Sequence, residues 1–189
     1  EIAESIGKRL AEDALAVKVN DKVLGLSRAI EADCKIQILT ADSNEGKAVL
    51  WHSSAHVMAT AVKDLFPKTK LGIGPPIEQG FYYDFLAEKA FTPEDLEKIE
   101  KKMQEHIKKD EKFIRSEFDK KESLKKVKDE PLKTELVKEL PEDKPSFYTN
   151  GLFTDLCKGP HVPSTGYIKA VKLLKTSSAY WKGNEKNPQ

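Results

Sequence analysis

The sequence predicts an α+β fold in two parts: a mainly antiparallel sheet with flanking helices over the larger C-terminal part, preceded by a smaller, partial α+β unit. Three observations predict it. Residues 51–66 place Ala55, Met58, Val62 and Leu65 at three- and four-residue steps, the pattern of an amphipathic helix. Asn150-Gly151 stands between two short runs rich in aromatic and β-branched residues, which is a strong hairpin signal. Ahead of the polar stretch Asp42-Ser43-Asn44-Glu45-Gly46-Lys47, one helical pattern, one hairpin and one strand follow each other. That set is too small to close a core alone, so residues 1–42 read as a domain whose first strands are cut away. The polar stretch reads as the linker, with the second domain over residues 43–189.

In order along the chain, Ile2, Ile6, Leu10 and Ala14 predict a helix over residues 1–16. Ala16-Val17-Lys18-Val19 alternates, Asn20-Asp21-Lys22 turns and Val23-Leu24-Gly25-Leu26 returns. A further strand runs from Cys34 to Thr40. The helix of residues 51–66 ends at Pro67. Glycines at 72, 74 and 80 and the stiff Pro75-Pro76 then lead into an expected strand from Phe81 to Phe85, with Phe81, Tyr83 and Phe85 on one face. The glycine spacing fits neither a Walker loop nor a dinucleotide fingerprint. Thr92-Pro93-Glu94-Asp95 starts a helix carried by Leu96, Ile99, Met103 and Ile107, in which His106 reads as a surface residue among Gln104, Glu105 and Lys108. Two more helical pieces, Lys120 to Lys128 and Leu132 to Leu140, precede the Asn-Gly hairpin. The lysine run reads as a solvated face. A last strand is expected from Ile168 to Thr176.

Composition excludes several classes. The 189 residues are 39% hydrophobic and 33% charged, which suits one medium domain with a small appendage, and a net charge of +1 announces no strongly basic nucleic-acid surface. Cys34 and Cys157 make no disulfide framework and point to a reduced, intracellular protein. No apolar run approaches the ~20 residues of a membrane span, and the charged N-terminus is no signal peptide. The expected compartment is the cytoplasm, with no membrane partner.

The chemistry concentrates in two short pieces. At roughly 100° per residue, His52 and His56 lie one turn apart on a common helix face. Asp155-Leu156-Cys157-Lys158-Gly159-Pro160-His161 supplies a carboxylate, a thiol and a third imidazole, delivered by the hairpin at or just past a strand end. Four of the chain's six Cys and His residues sit in these pieces, so they are expected to meet. Three readings are open: zinc held by His52, His56, Cys157 and His161; water-mediated ester chemistry with a neutral histidine; and a cysteine nucleophile with a histidine base, for which the surrounding sequence lacks a family signature. Against them stands the plain alternative of ordinary helix histidines and a small buried thiol.

The pieces HSSAH, GIGPPIEQGFYYDF, EPLKTEL, DLCKGPHVPSTG and AYWKGNEKN, in this order, resemble the N-terminal editing domain of bacterial-type threonyl-tRNA synthetases over residues 47–189. Residues 1–42 resemble the C-terminal part of the ubiquitin-like TGS domain, which implies a partial β-grasp. The same HxxxH and CxxxH pairs occur in zinc-binding alanyl-tRNA editing domains, which more usually read Cys-Gly-Gly-Thr-His; here Lys158-Gly159-Pro160 stands between Cys157 and His161. The resemblance implies hydrolysis of serine wrongly attached to tRNA(Thr). By it His52, His56, Cys157 and His161 line the catalytic pocket and Lys133 positions water. Asp155 holds the seryl group, and Tyr83 and Gly74 shape the wall near the terminal adenosine. No cofactor is then required, although zinc at the four His and Cys residues stays open. Implied partners are the acceptor end of tRNA(Thr) carrying serine and the remaining catalytic and anticodon-binding domains of a homodimeric synthetase. Two rivals are a zinc-dependent alanyl-type editing hydrolase and a non-catalytic, zinc-stabilised RNA-binding module.

Overall fold

Residues 2–187 are described by a computed structural model. The chain opens with two short helices, α1 (Ile2–Ile6) and α2 (Lys8–Asp13), broken at Gly7, whose backbone is extended. A single N-terminal helix was the expectation; its first residue lies outside the described ones. Next come β1 (Ala16–Val19), β2 (Lys22–Leu24) and β3 (Ile36–Leu39), an antiparallel sheet in the order β2-β1-β3. Leu15, Ala16 and Leu39 from this unit are buried in the same core cluster as Val49, Val57 and Met58.

The predicted linker is largely the first turn of α3 (Asn44–Leu65), because Ser43 caps the helix by accepting from the Gly46 N–H. A polar run is what a helix N-terminus selects as well as what a loop selects, so composition alone misplaced the helix start. Gly46 is needed there: a Cβ at that position would strike the Thr40 carbonyl at the end of β3.

After α3, four two-residue strands form two small ladders: β4 (Lys70–Leu71) pairs with β7 (Phe85–Leu86), and β5 (Pro76–Ile77) with β6 (Gly80–Phe81). The continuous strand expected from Phe81 to Phe85 is therefore interrupted at residues 82–84. Asp84 bonds instead to both sides of Gly72-Ile73, at 2.8 Å in each case. Tyr83 and Phe85 still share a face and stack at 4.6 Å.

The helix α4 (Pro93–Lys109) begins with the capping box of Thr92 and Asp95 and packs against α3, burying Ile99, Met103 and His106. His106 was expected at the surface and is 5% exposed. Its polar neighbours misled; spaced three from Met103 and seven from Ile99, it continues the buried stripe. Then follow β8 (Ile114–Glu117), α5 (Lys120–Lys126), α6 (Pro131–Glu139), β9 (Ser146–Asn150) and β10 (Phe153–Leu156). The three strands form an antiparallel sheet in the order β10-β9-β8. No sequence signal marked β8, whose Ile-Arg-Ser-Glu has no buried position.

Phe153 sits opposite Asn150, so the hairpin loop is Gly151-Leu152, one residue later than the Asn-Gly reading; Gly151 takes a φ of 54°. Asn150 is buried, accepting from Thr60 Oγ1 at 3.2 Å and donating to Glu111 at 3.1 Å. The strand expected from Ile168 to Thr176 does not form. A 3-10 turn over Thr165–Tyr167 leads into irregular chain along α4, where the Leu173 N–H bonds to the Glu100 carboxylate at 3.0 Å. A strand needs a backbone ladder, and here a side chain takes that donor. A second 3-10 turn, Trp181–Gly183, buries Trp181. Among the described residues no helix is long and apolar enough to cross a membrane. The architecture is thus α+β, with small antiparallel sheets and flanking helices.

Candidate functional site

Helix α3 and the end of β10 meet in one cleft. A polar first turn lets α3 begin at the surface, and the apolar stripe below buries its middle, carrying His56 (2% exposed) into the core beside the less enclosed His52. The β9-β10 hairpin ends at Leu156, and the loop that follows folds back over the helix. Cys157 Sγ then lies 3.2 Å from His52 Nε2 and 3.2 Å from His161 Nε2. The His161 ring stacks on Phe113 at 4.7 Å and meets Tyr148 edge-on at 4.6 Å. His56 meets His161 edge-on at 4.8 Å, and its buried Nε2 has no hydrogen-bond partner among the described residues.

A second group lies across the cleft. Pro131 at the first position of α6 and the turn ahead of it orient the helix so that Lys133 points inward, 3% exposed. Lys133 Nζ donates to Asp155 Oδ2 at 2.7 Å and to the Leu156 carbonyl at 3.1 Å. Tyr83 OH donates to the same carboxylate oxygen at 2.8 Å. Gly74 packs under Tyr83, where a Cβ would strike the ring and approach Ala55 Cβ to 3.1 Å. The cleft encloses about 770 Å³, and His52, His56, Gly74, Tyr83, Lys133, Asp155 and Cys157 all line it. His161 lies beneath, 3% exposed, in contact with Cys157 and not with the cleft itself. The eight residues singled out in the sequence are therefore one neighbourhood.

Burial governs the protonation of the set. Loss of solvent pulls His52 and His56 down to about 4, with Lys133 adding to the effect on His52 and Asp155 opposing it. His161 is pushed well below its usual range by burial and by the other two imidazoles. Although Cys157 keeps part of its surface exposed, its sulfur is enclosed, and burial with the Asp155 charge pushes the thiol up to about 12. Burial and Asp155 also raise Tyr83 well above its normal range. At neutral pH the cleft holds neutral imidazoles and a protonated thiol, which disfavours a cysteine nucleophile.

The same burial makes stability depend on pH. Between pH 6.5 and about 4 the unfolded chain protonates His56 and the folded chain does not, so stability falls as pH falls through that window. The loss from His56 is on the order of 3 kcal/mol. Above pH 9 the unfolded thiol ionises while folded Cys157 resists until about 12, so stability falls again on the alkaline side. Urea midpoints of the metal-free protein at about pH 5, about pH 7.5 and about pH 9.5 are expected to be highest at the middle value. A midpoint at the acid value equal to the central one rejects this reading.

Among the described residues one His/Cys group has the geometry for a metal: the ligand atoms of His52, Cys157 and His161 lie within 4.8 Å of one another. Two imidazoles and a thiol are borderline and soft donors of the kind zinc takes, so these three residues would hold such an ion. His56 is not part of that group, so the four-ligand set expected from the sequence reduces to three.

Ser53 escaped the sequence reading. It is fully buried; its hydroxyl donates to the Val49 carbonyl at 2.7 Å and accepts from the Val162 N–H at 3.0 Å, and it lies 3.1 Å from His161 Nδ1. The available signal was a serine in mid-helix on the face next to two histidines, where its helix propensity gives no reason for it. Val23 and Glu45 also line the cleft from the N-terminal side.

Comparison with known proteins gives two domain matches. Residues 1–40 match the TGS domain, a β-grasp-like fold, and residues 146–189 match the threonyl and alanyl tRNA synthetase second additional domain. The chain is 52% identical over 190 residues to the threonine–tRNA ligase of Caldanaerobacter subterraneus subsp. tengcongensis, and 52% identical to that of Carboxydothermus hydrogenoformans. Each alignment covers 99% of this chain and 30% of the relative. It is 48% identical over 191 residues, its whole length, to the threonine–tRNA ligase of Cytophaga hutchinsonii, again 30% of that protein. The chain thus spans about a third of the length of the curated relatives it matches.

Proposed function

We propose that this chain, which matches the N-terminal TGS and editing-type region of threonine–tRNA ligases almost from end to end, hydrolyses the ester of serine wrongly attached to tRNA(Thr). What supports the reading most is the buried Lys133–Asp155–Tyr83 group facing His52 and Cys157 across a cleft of about 770 Å³, a size in the usual range for small-ligand sites. Lys133 uses two of its three N–H donors on Asp155 and Leu156. The third is left to hold a water at the ester carbon. Asp155 Oδ1, the oxygen that neither Tyr83 nor Lys133 takes, receives the seryl ammonium or hydroxyl. His52, neutral at working pH, accepts the proton of the attacking water.

A sieve is chemically required because a threonine-activating site discriminates against serine by only ~1–3 kcal/mol, the worth of one missing methyl. In the proposed sieve the cleft reverses the test: the wall formed by Gly74 and Tyr83 beside Asp155 is what would reject threonine's extra methyl. The reaction takes place in the cytoplasm on the acceptor end of tRNA(Thr), delivered by the catalytic and anticodon-binding domains of a homodimeric synthetase. The direct test compares release of serine and of threonine from the same tRNA(Thr) by this chain. Serine is expected to leave faster by about tenfold or more; equal rates remove the sieve.

The His52, Cys157 and His161 group supports a second reading, in which these three residues hold zinc. Bound there, the ion supplies Lewis-acid polarisation and an acidified water. Hydrolysis that survives thorough chelation assigns the chemistry to Lys133 and His52, and hydrolysis abolished by chelation and restored by zinc assigns it to the metal.

A further inference from the structure

We infer that Ser53 is a positioning residue of this cleft: it holds His161 as the Nδ1–H tautomer and so turns the bare Nε2 toward the Cys157 sulfur. A hydroxyl has one proton and two lone pairs. The proton of Ser53 is committed to the Val49 carbonyl, which can only accept, at 2.7 Å. One lone pair takes the Val162 N–H at 3.0 Å. The remaining contact, 3.1 Å to His161 Nδ1, is satisfied only if the ring donates. A neutral imidazole carries a single N–H, and His161, 3% exposed with its ring against Phe113, Tyr148, His52 and His56, has no carboxylate partner among the described residues to support a second proton. Its Nε2 is therefore an acceptor.

The assignment propagates along the bonds. The Cys157 thiol donates to His161 Nε2 at 3.2 Å, and its sulfur accepts from the Gly159 N–H at 3.4 Å and from His52 Nε2 at 3.2 Å. His52 in turn carries its proton on Nε2, and its basic nitrogen is Nδ1. One buried serine on α3 thus orients three polar groups and selects which nitrogen of the cleft-lining imidazole can receive a proton. With zinc bound, the Ser53 end of the chain is unchanged, since a ligating imidazole needs its other N–H held in the same way.

The tautomer itself does not depend on the proposed hydrolysis; its effect on rate does. Protein labelled with ¹⁵N-histidine, near neutral pH with chelator present, is read by multiple-bond ¹H–¹⁵N correlation. His161 is expected to be protonated on Nδ1 and His52 on Nε2; His161 protonated on Nε2 overturns the inference whatever the activity. In Ser53→Ala, His161 is expected to leave the pure Nδ1–H form, while serine release slows about tenfold or more with KM unchanged. The His106 signal, held by Asp64 at 2.9 Å, reports that the fold persists. A folded Ser53→Ala protein that keeps His161 wholly Nδ1–H also overturns it. If Ser53→Ala unfolds, the wild-type tautomer decides alone. Failure of the wild type to release serine would count against the hydrolytic reading and leave the tautomer result standing.

Discussion

Lys133→Ala is expected to abolish most serine release, lowering kcat by about 10²–10⁴-fold, and to cost about 3–5 kcal/mol of stability. Both effects have one source. Lys133 and Asp155 form an ion pair with side-chain exposures of 4% and 6%. Removing the ammonium leaves the carboxylate buried with, among the described residues, only the Tyr83 hydroxyl as partner. The two effects separate in the double variant Lys133→Met with Asp155→Asn. Replacing both charges by neutral groups restores most of the stability, because a buried pair contributes little over a well-packed neutral replacement. Activity stays lost, because nothing then holds the water or the seryl ammonium. Urea midpoints and single-turnover deacylation of seryl-tRNA(Thr) measure the two quantities. Serine release in Lys133→Ala within threefold of wild type would remove Lys133 from the chemistry.

Gly74→Ala tests the wall. A Cβ there would meet the Tyr83 ring, 2.9 Å from Cε2 with Cδ2 nearer still, and Ala55 Cβ at 3.1 Å. The ring can yield only by moving its hydroxyl from Asp155, where it now donates at 2.8 Å. Serine release is expected to drop about 10²-fold, the usual effect of displacing a positioned group by an ångström, with about 1–3 kcal/mol of destabilisation from overpacking. Gly7→Ala is the control, since nothing lies within 4 Å of the added Cβ. Stability reduced with activity intact in Gly74→Ala would show that Tyr83 does not set the site geometry.

Much of this molecule was legible in its sequence wherever function and local periodicity coincide. The α3 stripe, the start of α4 at Thr92-Pro93 and the turn at Gly151 are set by residues within a few positions of each other, and each formed at or next to its expected place. The linker at 42–47 and the strand at 168–176 failed for a shared reason. A polar run suits a helix N-terminus as well as a loop, and an alternating run becomes a strand only if a neighbouring backbone is free to pair with it.

The sequence by itself determined which residues are chemically equipped: two imidazoles one turn apart, a thiol and an imidazole four apart, and a hairpin to carry them. Only the tertiary structure decided what they can do. It buries the imidazoles until they are neutral, puts Lys133 from a separate helix on Asp155, and drops His56 from the metal-capable group. It also recruits Ser53, to which the sequence reading gave no role. Protonation, pairing and tautomer depend on solvent exclusion and on distances of about 3 Å between groups far apart in the chain, and no local pattern of residues carries that information.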